Sequence, residues 1–276
     1  MSDPGPDQYT VVDQSHPNAA RVLTAVLGGK DYYTTDRLMA ETLTRNKIGP
    51  AITESRRFAL RAVGYLIDHH QVTQFVDLGC GFPHTPNIHD IAGDRIESAR
   101  TLYIDNDRLV ATHARALMTS HTTHNTHTAE IDLTDTAAVL DAITTTLDIT
   151  EPIALCLSGT AELIDTAPAM VAALTDALPN RTWLVLTHIT ADIYGHHIDT
   201  AAQTLRAAGI AYHPRTHNDI AAMLAGYRLH TPGLIAPHRW RPELLGPDRY
   251  EHATEPLHHA IWDLSAYAAI GQRCRT

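Results

Sequence analysis

The sequence contains only three cysteines, and it has no apolar stretch long enough to cross a membrane. Cys80, Cys156 and Cys274 are odd in number and far apart, so we expect reduced thiols rather than a disulfide framework. The first residues, "MSDPGPDQYTVVDQ", have neither the basic nor the apolar region of a signal peptide. Together these absences predict a cytoplasmic protein that has no membrane partner.

Basic residues are also scarce, since 21 Lys and Arg face 31 Asp and Glu and give a net charge of -10. They form no cluster of the kind that binds a phosphate backbone, so we expect no nucleic-acid partner. Histidines, in contrast, number 19, and the tightest group is His121, His124 and His127. This segment is rich in Thr and Asn without apolar periodicity, so we interpret it as a polar loop and predict no metal site.

Length and periodicity predict one α/β domain with an appended helical segment. We expect residues 1–15 to be disordered, 16–71 to be helical, and 72–276 to alternate strands with helices. Gly28 and Gly29 end the first helix of the helical segment. The predicted helices before residue 72 are 18–27, 35–45 and 50–70.

Short apolar strands alternate with amphipathic segments after residue 72, which predicts a doubly wound, mostly parallel sheet. A final helix and two strands are expected after Tyr212, so the sheet has seven strands. Thr166 is expected to cap the helix that contains Pro168. The predicted strands are 74–78, 100–104, 128–131, 153–157 and 183–187, and the helices between them are 107–120, 136–146 and 167–178.

The stretch "FVDLGCGFP", residues 75–83, has the character of a nucleotide-binding turn at the end of a strand. Gly79 and Gly81 remove side chains where the backbone turns sharply and approaches a ligand. A dinucleotide fingerprint has a third glycine three residues later, but this sequence has His84. Asp77 precedes the turn. The missing glycine argues against NAD.

Acidic residues follow the next two strands and indicate which nucleotide is bound. Asp105 ends the second strand, where an acid can accept both ribose hydroxyls of an adenosine, and Asn106 follows it. After the third strand, Asp132 is placed to accept from an adenine amino group and Leu133 to lie beside the ring. The ordered series of glycine turn and acids predicts S-adenosylmethionine (SAM) as the cofactor.

The sequence resembles a bacterial S-adenosyl methyltransferase family that was long catalogued as a domain of unknown function. The resemblance extends over nearly the whole chain, and the GGKD segment is its most specific element. It implies a SAM methyltransferase fold with an N-terminal helical lid, and places Arg21, Lys30 and Asp31 near the ligand. The segments that carry it are "NAARVLTAVLGGKDYYTTDR", "RRFALRAVGYL", "FVDLGCGFP", "LYIDND", "ALPNRTWLVLTH", "PGLIAPHRWRPE" and "YAAIGQR".

The segment after the fourth strand departs from that family. Its sequence, "LCLSGTAELID", replaces an apolar stretch and gives a small, polar wall that includes Ser158, which we include in the cofactor-binding set. Glu162 and His188 are the candidate general bases, although Glu162 is equally interpreted as a favourable charge at a helix start. His188 is equally interpreted as a structural residue at the end of its strand.

These patterns predict a SAM-dependent methyltransferase that acts on a small molecule in specialised metabolism, and a homodimer stays open. Three other functions also stay open. The first is an NAD(P)-linked reductase, and the second is a SAM-binding protein without catalysis. The third is a cyclase in which the amine of SAM attacks its own γ-carbon, giving an azetidine ring and methylthioadenosine.

Overall fold

The computed structural model describes residues 12–118, 125–244 and 264–274. Within these ranges the chain forms one sheet of seven strands in the order β3-β2-β1-β4-β5-β7-β6. Strands β1 to β5 run parallel, and β7 pairs antiparallel with both β5 and β6. The strands are β1 Gln74–Leu78, β2 Arg100–Asp105, β3 Thr126–Glu130, β4 Ile153–Leu157, β5 Trp183–Ile189, β6 Tyr227–Leu229 and β7 Ala266–Arg273.

Helices precede the sheet and connect its strands. Side-chain caps fix several helix starts: Asn18 accepts from the Arg21 N–H, Asp107 from two N–H groups of α5, and Asp135 from the Ala138 N–H. The helices are α1 Ala19–Val26, α2 Thr34–Arg45, α3 Gly49–His70, α4 Ile88–Gly93, α5 Arg108–Leu117, α6 Thr136–Thr146, α7 Ala167–Ala177, α8 Gly195–Ala207 and α9 His217–Met223.

Three apolar clusters hold the layers together. One face of the sheet packs against α6, α7 and α9. The other face packs against α3, with Phe58, Val63 and Leu66 fully buried. A third cluster joins α1, α2 and the start of α3 to α8, away from the centre of the sheet. The α3 helix therefore packs directly on the face of the sheet, whereas α1 and α2 pack in the third cluster with α8 and the ends of β5 and β7.

The predicted seven-stranded, mostly parallel sheet with N-terminal helices is confirmed. Strand β3 begins and ends earlier than predicted, and β2 and β5 extend further. The helices α4 and α8 were not predicted, because six-residue α4 is too short for a periodic pattern and α8 is rich in His and Thr. Thr166 occupies the predicted cap position, but its side chain makes no capping hydrogen bond.

Some sequence predictions fall wholly or partly outside the described residues. Residues 1–11 of the segment expected to be disordered lie there, as do His121 and His124 of the histidine group. Within the described ranges, no group of three or more His, Cys, Asp or Glu side chains is close enough to hold a metal ion. No helix in these ranges is long and apolar enough to span a membrane.

Candidate active site

A cavity of about 420 Å³ opens at the carboxyl ends of β1, β2 and β4. The strand order reverses between β1 and β4, and this is the position at which doubly wound sheets bind ligands. Helices α1 and α3 cover the cavity from above. Eight of the sequence-predicted site residues line it: Asp77, Gly79, Gly81, Asp105, Asn106, Asp132, Leu133 and Ser158.

The glycine turn after β1 forms the floor of the cavity. Gly79 has a φ of +76°, and a Cβ atom there would lie 2.3 Å from the Cγ2 atom of Thr160. The Thr160 hydroxyl in turn donates to the Gly79 carbonyl at 3.1 Å. A glycine is therefore required at position 79 by both backbone conformation and close packing.

Asp105, at the end of β2, is held in one orientation by the backbone. The Gly81 N–H donates to Oδ2 and the Asp107 N–H to Oδ1, both at 2.9 Å. Burial raises the pKa of this carboxyl, and these hydrogen bonds oppose the rise. Because each oxygen keeps a lone pair, the fixed carboxylate can still accept hydrogen bonds from a pair of ligand hydroxyls.

Asp132 and Leu133 follow β3 at the rim of the same cavity. The Thr134 N–H and hydroxyl donate to Asp132 Oδ1 at 2.8 and 2.7 Å, and they lower the pKa of this carboxyl. Asn106 also donates to it. Leu133 is 5% exposed. An ionised acceptor therefore stands beside an apolar surface, an arrangement suited to the edge and face of a base.

Arg56 on α3 was not predicted as a site residue, yet its side chain lines the cavity. Its guanidinium donates to the carbonyls of His84 and Pro86, the latter at 2.9 Å. Desolvation lowers the pKa of Arg56, and the neighbouring Asp77 opposes this change. The sequence signal was the "RRF" of the helix, but helical periodicity alone does not tell a cavity-facing arginine from an exposed one.

Ser158 follows β4 and lies within a chain of hydroxyl groups. The Thr187 hydroxyl donates to Ser158 Oγ at 3.1 Å, and Ser158 donates to the Ser55 carbonyl at 3.3 Å. The chain joins β5 to α3 across the cavity wall. The hydroxyl hydrogens of Thr187 and Ser158 are both donated within this chain. Ser158 therefore presents to the cavity a hydroxyl group whose hydrogen is already engaged.

The structure places Arg21, Lys30 and Asp31 outside the cavity lining. Arg21 is buried and its Nε lies 2.7 Å from Asp36 Oδ2, which ties α1 to α2. Its guanidinium also stacks over the Tyr33 ring at 5.1 Å. Lys30 and Asp31 are exposed. Arg21 therefore organises the first two helices, and Lys30 faces solvent in this structure.

Glu162 and His188 also lie behind the cavity wall instead of lining it. His188 is fully buried, with Nδ1 placed 2.7 Å from the Ile189 carbonyl and Nε2 accepting from Arg215 at 2.9 Å. Burial lowers the pKa of His188 to about 4, so the ring is neutral and both nitrogens are engaged. This histidine orients Arg215 and has no lone pair left for a substrate proton.

Three comparisons with known proteins complete the description of the site. A model of a family described as S-adenosyl methyltransferase matches residues 6–272. The chain belongs to this family. No curated protein matches this methyltransferase sequence. The resemblance predicted from the sequence is confirmed, and the cofactor of the methyltransferase is SAM.

Solved structures agree with the family assignment. A DUF574 family protein from Streptomyces avermitilis has a TM-score of 0.82 at 28% identity, covering 95% of this chain and 99% of that one. A candidate methyltransferase from Thermobifida fusca has a TM-score of 0.81 at 28% identity, covering 95% and 97%. The plantazolicin methyltransferase BpumL, in complex with SAH (S-adenosylhomocysteine), shares the fold at a TM-score of 0.52, 14% identity and coverage of 93% and 95%.

The residues of the methyltransferase cavity fit the chemical groups of SAM. The cofactor carries two cationic centres, a carboxylate, a ribose diol and an adenine. The cavity offers four carboxylates, Asp77, Asp105, Asp107 and Asp132, together with the guanidinium of Arg56. An excess of acidic over basic groups matches a ligand with two cations and one anion.

We predict that SAH binds this methyltransferase more tightly as the pH rises from 6 to 8. Burial raises the pKa of Asp77 to about 7, so its ionised fraction grows from about a tenth to about nine tenths over this range. We expect Asp77 to face the ammonium group of the ligand, which only the ionised carboxylate attracts. Calorimetry should show an increase in affinity of up to about tenfold. The Asp77→Asn variant should show a flat profile, and an equally steep one would assign the dependence to another group.

Replacing Glu162 with glutamine should stabilise the methyltransferase above pH 7. Burial raises the pKa of Glu162 to about 7, from an ordinary value of 4.5, and Oε2 has no hydrogen-bond partner. Between pH 4.5 and about pH 7, the folded state therefore holds a proton that the unfolded state has lost. The free energy of unfolding of the parent protein falls as the pH rises through this window. The variant does not titrate, so its advantage should reach about 2–3 kcal/mol at pH 8 in denaturant melts. A difference in stability between variant and parent that is the same at pH 5 and at pH 8 would contradict the prediction.

Proposed function

We propose that the protein transfers the methyl group of SAM to a small-molecule acceptor in the cytoplasm, as part of specialised metabolism. The family assignment supports methyl transfer, and the enclosed cavity of about 420 Å³ supports a small acceptor. The fold shared with a plantazolicin methyltransferase is consistent with a tailoring role. Biosynthetic genes beside its own would support that role, and sedimentation would decide between a monomer and the homodimer left open by the sequence.

The following roles are proposed for the cavity residues. Asp105 accepts the ribose hydroxyls, since its oxygens are oriented by two backbone N–H groups. Asp132 and Leu133 hold the adenine. Arg56 binds the methionine carboxylate, and Asp77 faces the ammonium group. The remaining predicted members, Gly79, Gly81, Asn106 and Ser158, shape the wall.

When bound, SAM supplies an electrophilic methyl carbon on a sulfonium; the acceptor bonds to this carbon as the carbon–sulfur bond breaks, and the electron pair stays on sulfur. The chain contributes position, because holding two reactants in line at near-attack distance provides much of the acceleration. In the proposed reaction, helices α1 and α3, which line the cavity, shield the reacting atoms from water. A proton acceptor is required of the protein only when the acceptor atom must lose a proton, as a hydroxyl or an ammonium must.

One experiment tests this function against its alternatives. The protein is incubated with SAM, with and without candidate acceptors, and the products are analysed by mass spectrometry. SAH that accumulates only with an acceptor is the expected result. Methylthioadenosine from SAM alone, above the non-enzymatic background, would identify the cyclase. Tight binding of SAM that stays intact with every acceptor would identify a non-catalytic binding protein.

We propose further that α1 and α2, rather than all of residues 16–71, form the lid. Asn18 donates to Asp107 Oδ2 at 2.9 Å and its N–H donates to Asp36 Oδ1 at 2.9 Å, so one residue links both lid helices to the ribose end of the cavity. Hydrogen exchange in residues 16–37 should slow when SAH binds. Helix α9, which does not line the cavity, provides the internal control. Unchanged protection in 16–37 would make these helices a fixed appendage.

A further inference from the structure

A part of the cavity lining, the aliphatic wall, is made of aliphatic side chains. Helices α1 and α3 contribute to it, together with two segments that follow β4 and α8. In the third apolar cluster these elements also pack against one another, so the wall continues into the protein interior. The aliphatic lining residues are Leu23, Leu27, Ile52, Leu60, Leu163 and Ile210.

The charged side chains that line the cavity are four carboxylates and one guanidinium. The carboxylates belong to the ends of β1, β2 and β3 or to the turns that follow them, and Arg56 is held beside the glycine turn. Among the residues that the structure describes, α1, the segment 163–164 and the segment 209–211 contribute no charged side chain to the lining. The proposed roles assign four of these five groups to the cofactor. The fifth, Asp107, accepts from the Asn18 side chain and from two N–H groups of α5, so none is left to compensate a charge on the acceptor.

The polar atoms of the aliphatic wall are already engaged. The Thr24 hydroxyl donates to the Ala20 carbonyl at 2.8 Å, within its own helix. Asn18 donates to Asp107, and Ser158 donates to the Ser55 carbonyl. A charged acceptor bound against this wall would therefore lose hydration without gaining an ionic partner, which is costly.

Two charged residues close to this end are turned away from it. Arg215 donates to the carbonyls of Ala161, Ile164 and Asp165 at 2.8–3.0 Å, and to His188. Glu162 is 3% exposed and does not line the cavity. The arginine is thus satisfied by main-chain oxygens, and the acid stays within the interior. Neither can reach an acceptor without breaking the wall.

We propose that the acceptor is a small, uncharged and mainly apolar molecule that binds against this aliphatic wall. The inference rests on the proposed methyl transfer and adds the class of acceptor. A cavity of 420 Å³ lies near the lower end of the range for a single drug-sized ligand, about 300–1,000 Å³. With the cofactor in place, the remaining space holds a single ring or a short chain.

The test uses three probes of nearly equal size that differ in charge: benzyl alcohol, benzoate and benzylamine. Each is titrated into protein saturated with SAH, and binding is followed by ligand-observed magnetic resonance. Benzyl alcohol should bind at least about tenfold more tightly than either charged probe. Equal or tighter binding of benzoate or benzylamine would overturn the proposal, as would no binding of any probe at millimolar concentration.

Matched variants locate the probe. Leu23→Lys places a charge on the aliphatic wall and should weaken benzyl alcohol binding at least about tenfold in protein that is still saturated with SAH. Leu38→Lys makes the same change at a residue that is 52% exposed on α2, and it should leave benzyl alcohol binding unchanged. Leu27→Gln is the milder second variant if the first fails to fold. Unchanged benzyl alcohol binding in folded Leu23→Lys or Leu27→Gln would overturn the proposal.

The two proposals fail in different ways. If the parent protein does not bind SAH, or forms no SAH with any acceptor, the methyltransferase function itself is contradicted. Firm SAH binding combined with a preference for a charged probe would contradict only the acceptor class.

Discussion

Replacing Arg56 with methionine should weaken SAH binding on the order of 100-fold, about 3 kcal/mol, because a desolvated carboxylate would lose its charged partner. The guanidinium lines the cavity beside Asp77 and is anchored by the carbonyls of His84 and Pro86. Methionine keeps an unbranched apolar stem but lacks the guanidinium and cannot donate. Isothermal calorimetry on the purified variant measures the loss directly.

A second ligand makes the Arg56 prediction specific. Methylthioadenosine has the adenine, the ribose and the thioether of SAH but lacks its amino acid. The affinity of methylthioadenosine for the Arg56→Met variant should stay within about threefold of its affinity for the parent protein. This ligand has no carboxylate for Arg56 to bind, so the loss of the guanidinium should cost little binding energy. If both ligands lose affinity equally, Arg56 supports the cavity structurally and does not contact the carboxylate. Thermal melting shows whether the variant remains folded.

The Asp105→Ala variant should weaken both SAH and methylthioadenosine by about 10- to 100-fold, corresponding to 1.5–3 kcal/mol for lost hydrogen bonds to a charged group. Both ligands carry the ribose, so this pattern differs from that of Arg56→Met. The substitution also removes the acceptor of the Gly81 and Asp107 N–H groups, which donate to the Asp105 carboxylate in the parent protein. Calorimetry with the two ligands separates the roles of the two residues.

Asp141→Ala is the control for net charge in that experiment. Asp141 is exposed on α6 and does not line the cavity, so its removal changes the charge of the protein by the same amount. Affinity for either ligand should remain within about twofold of the parent value, because exposed charges at this separation are screened by salt. Unchanged affinity in Asp105→Ala would mean that the ribose binds elsewhere.

Residues that depend on local order along the chain could be predicted from the sequence. Asp77, Asp105 and Asp132 lie at or just after the ends of three successive parallel strands, and parallel strands present their carboxyl ends at one edge of a sheet. The sequence therefore predicted that these three side chains meet in the cavity. Gly79 could be predicted as well, because the backbone turns sharply after β1 at a position that favours glycine.

Residues that depend on how helices pack could not be predicted in this way. Arg56 and Arg57 are adjacent on α3, yet only Arg56 lines the cavity, whereas Arg57 pairs with Glu54. Glu162 is adjacent to cavity-lining Leu163, but its carboxyl is buried behind the wall. Which of two neighbouring side chains faces a ligand is decided by tertiary packing, on which the local sequence pattern carries little information.

Arg215 affects how the protein can change over evolution. It fastens the segment after β4 through the main-chain carbonyls of Ala161, Ile164 and Asp165. Main-chain oxygens persist whatever side chains the segment carries, so Leu163 and Ile164 can be exchanged while the backbone of the wall stays in place. A lineage, or a mutagenesis library, can therefore explore new acceptors at these two positions while Arg56 and Asp105 keep the cofactor site constant.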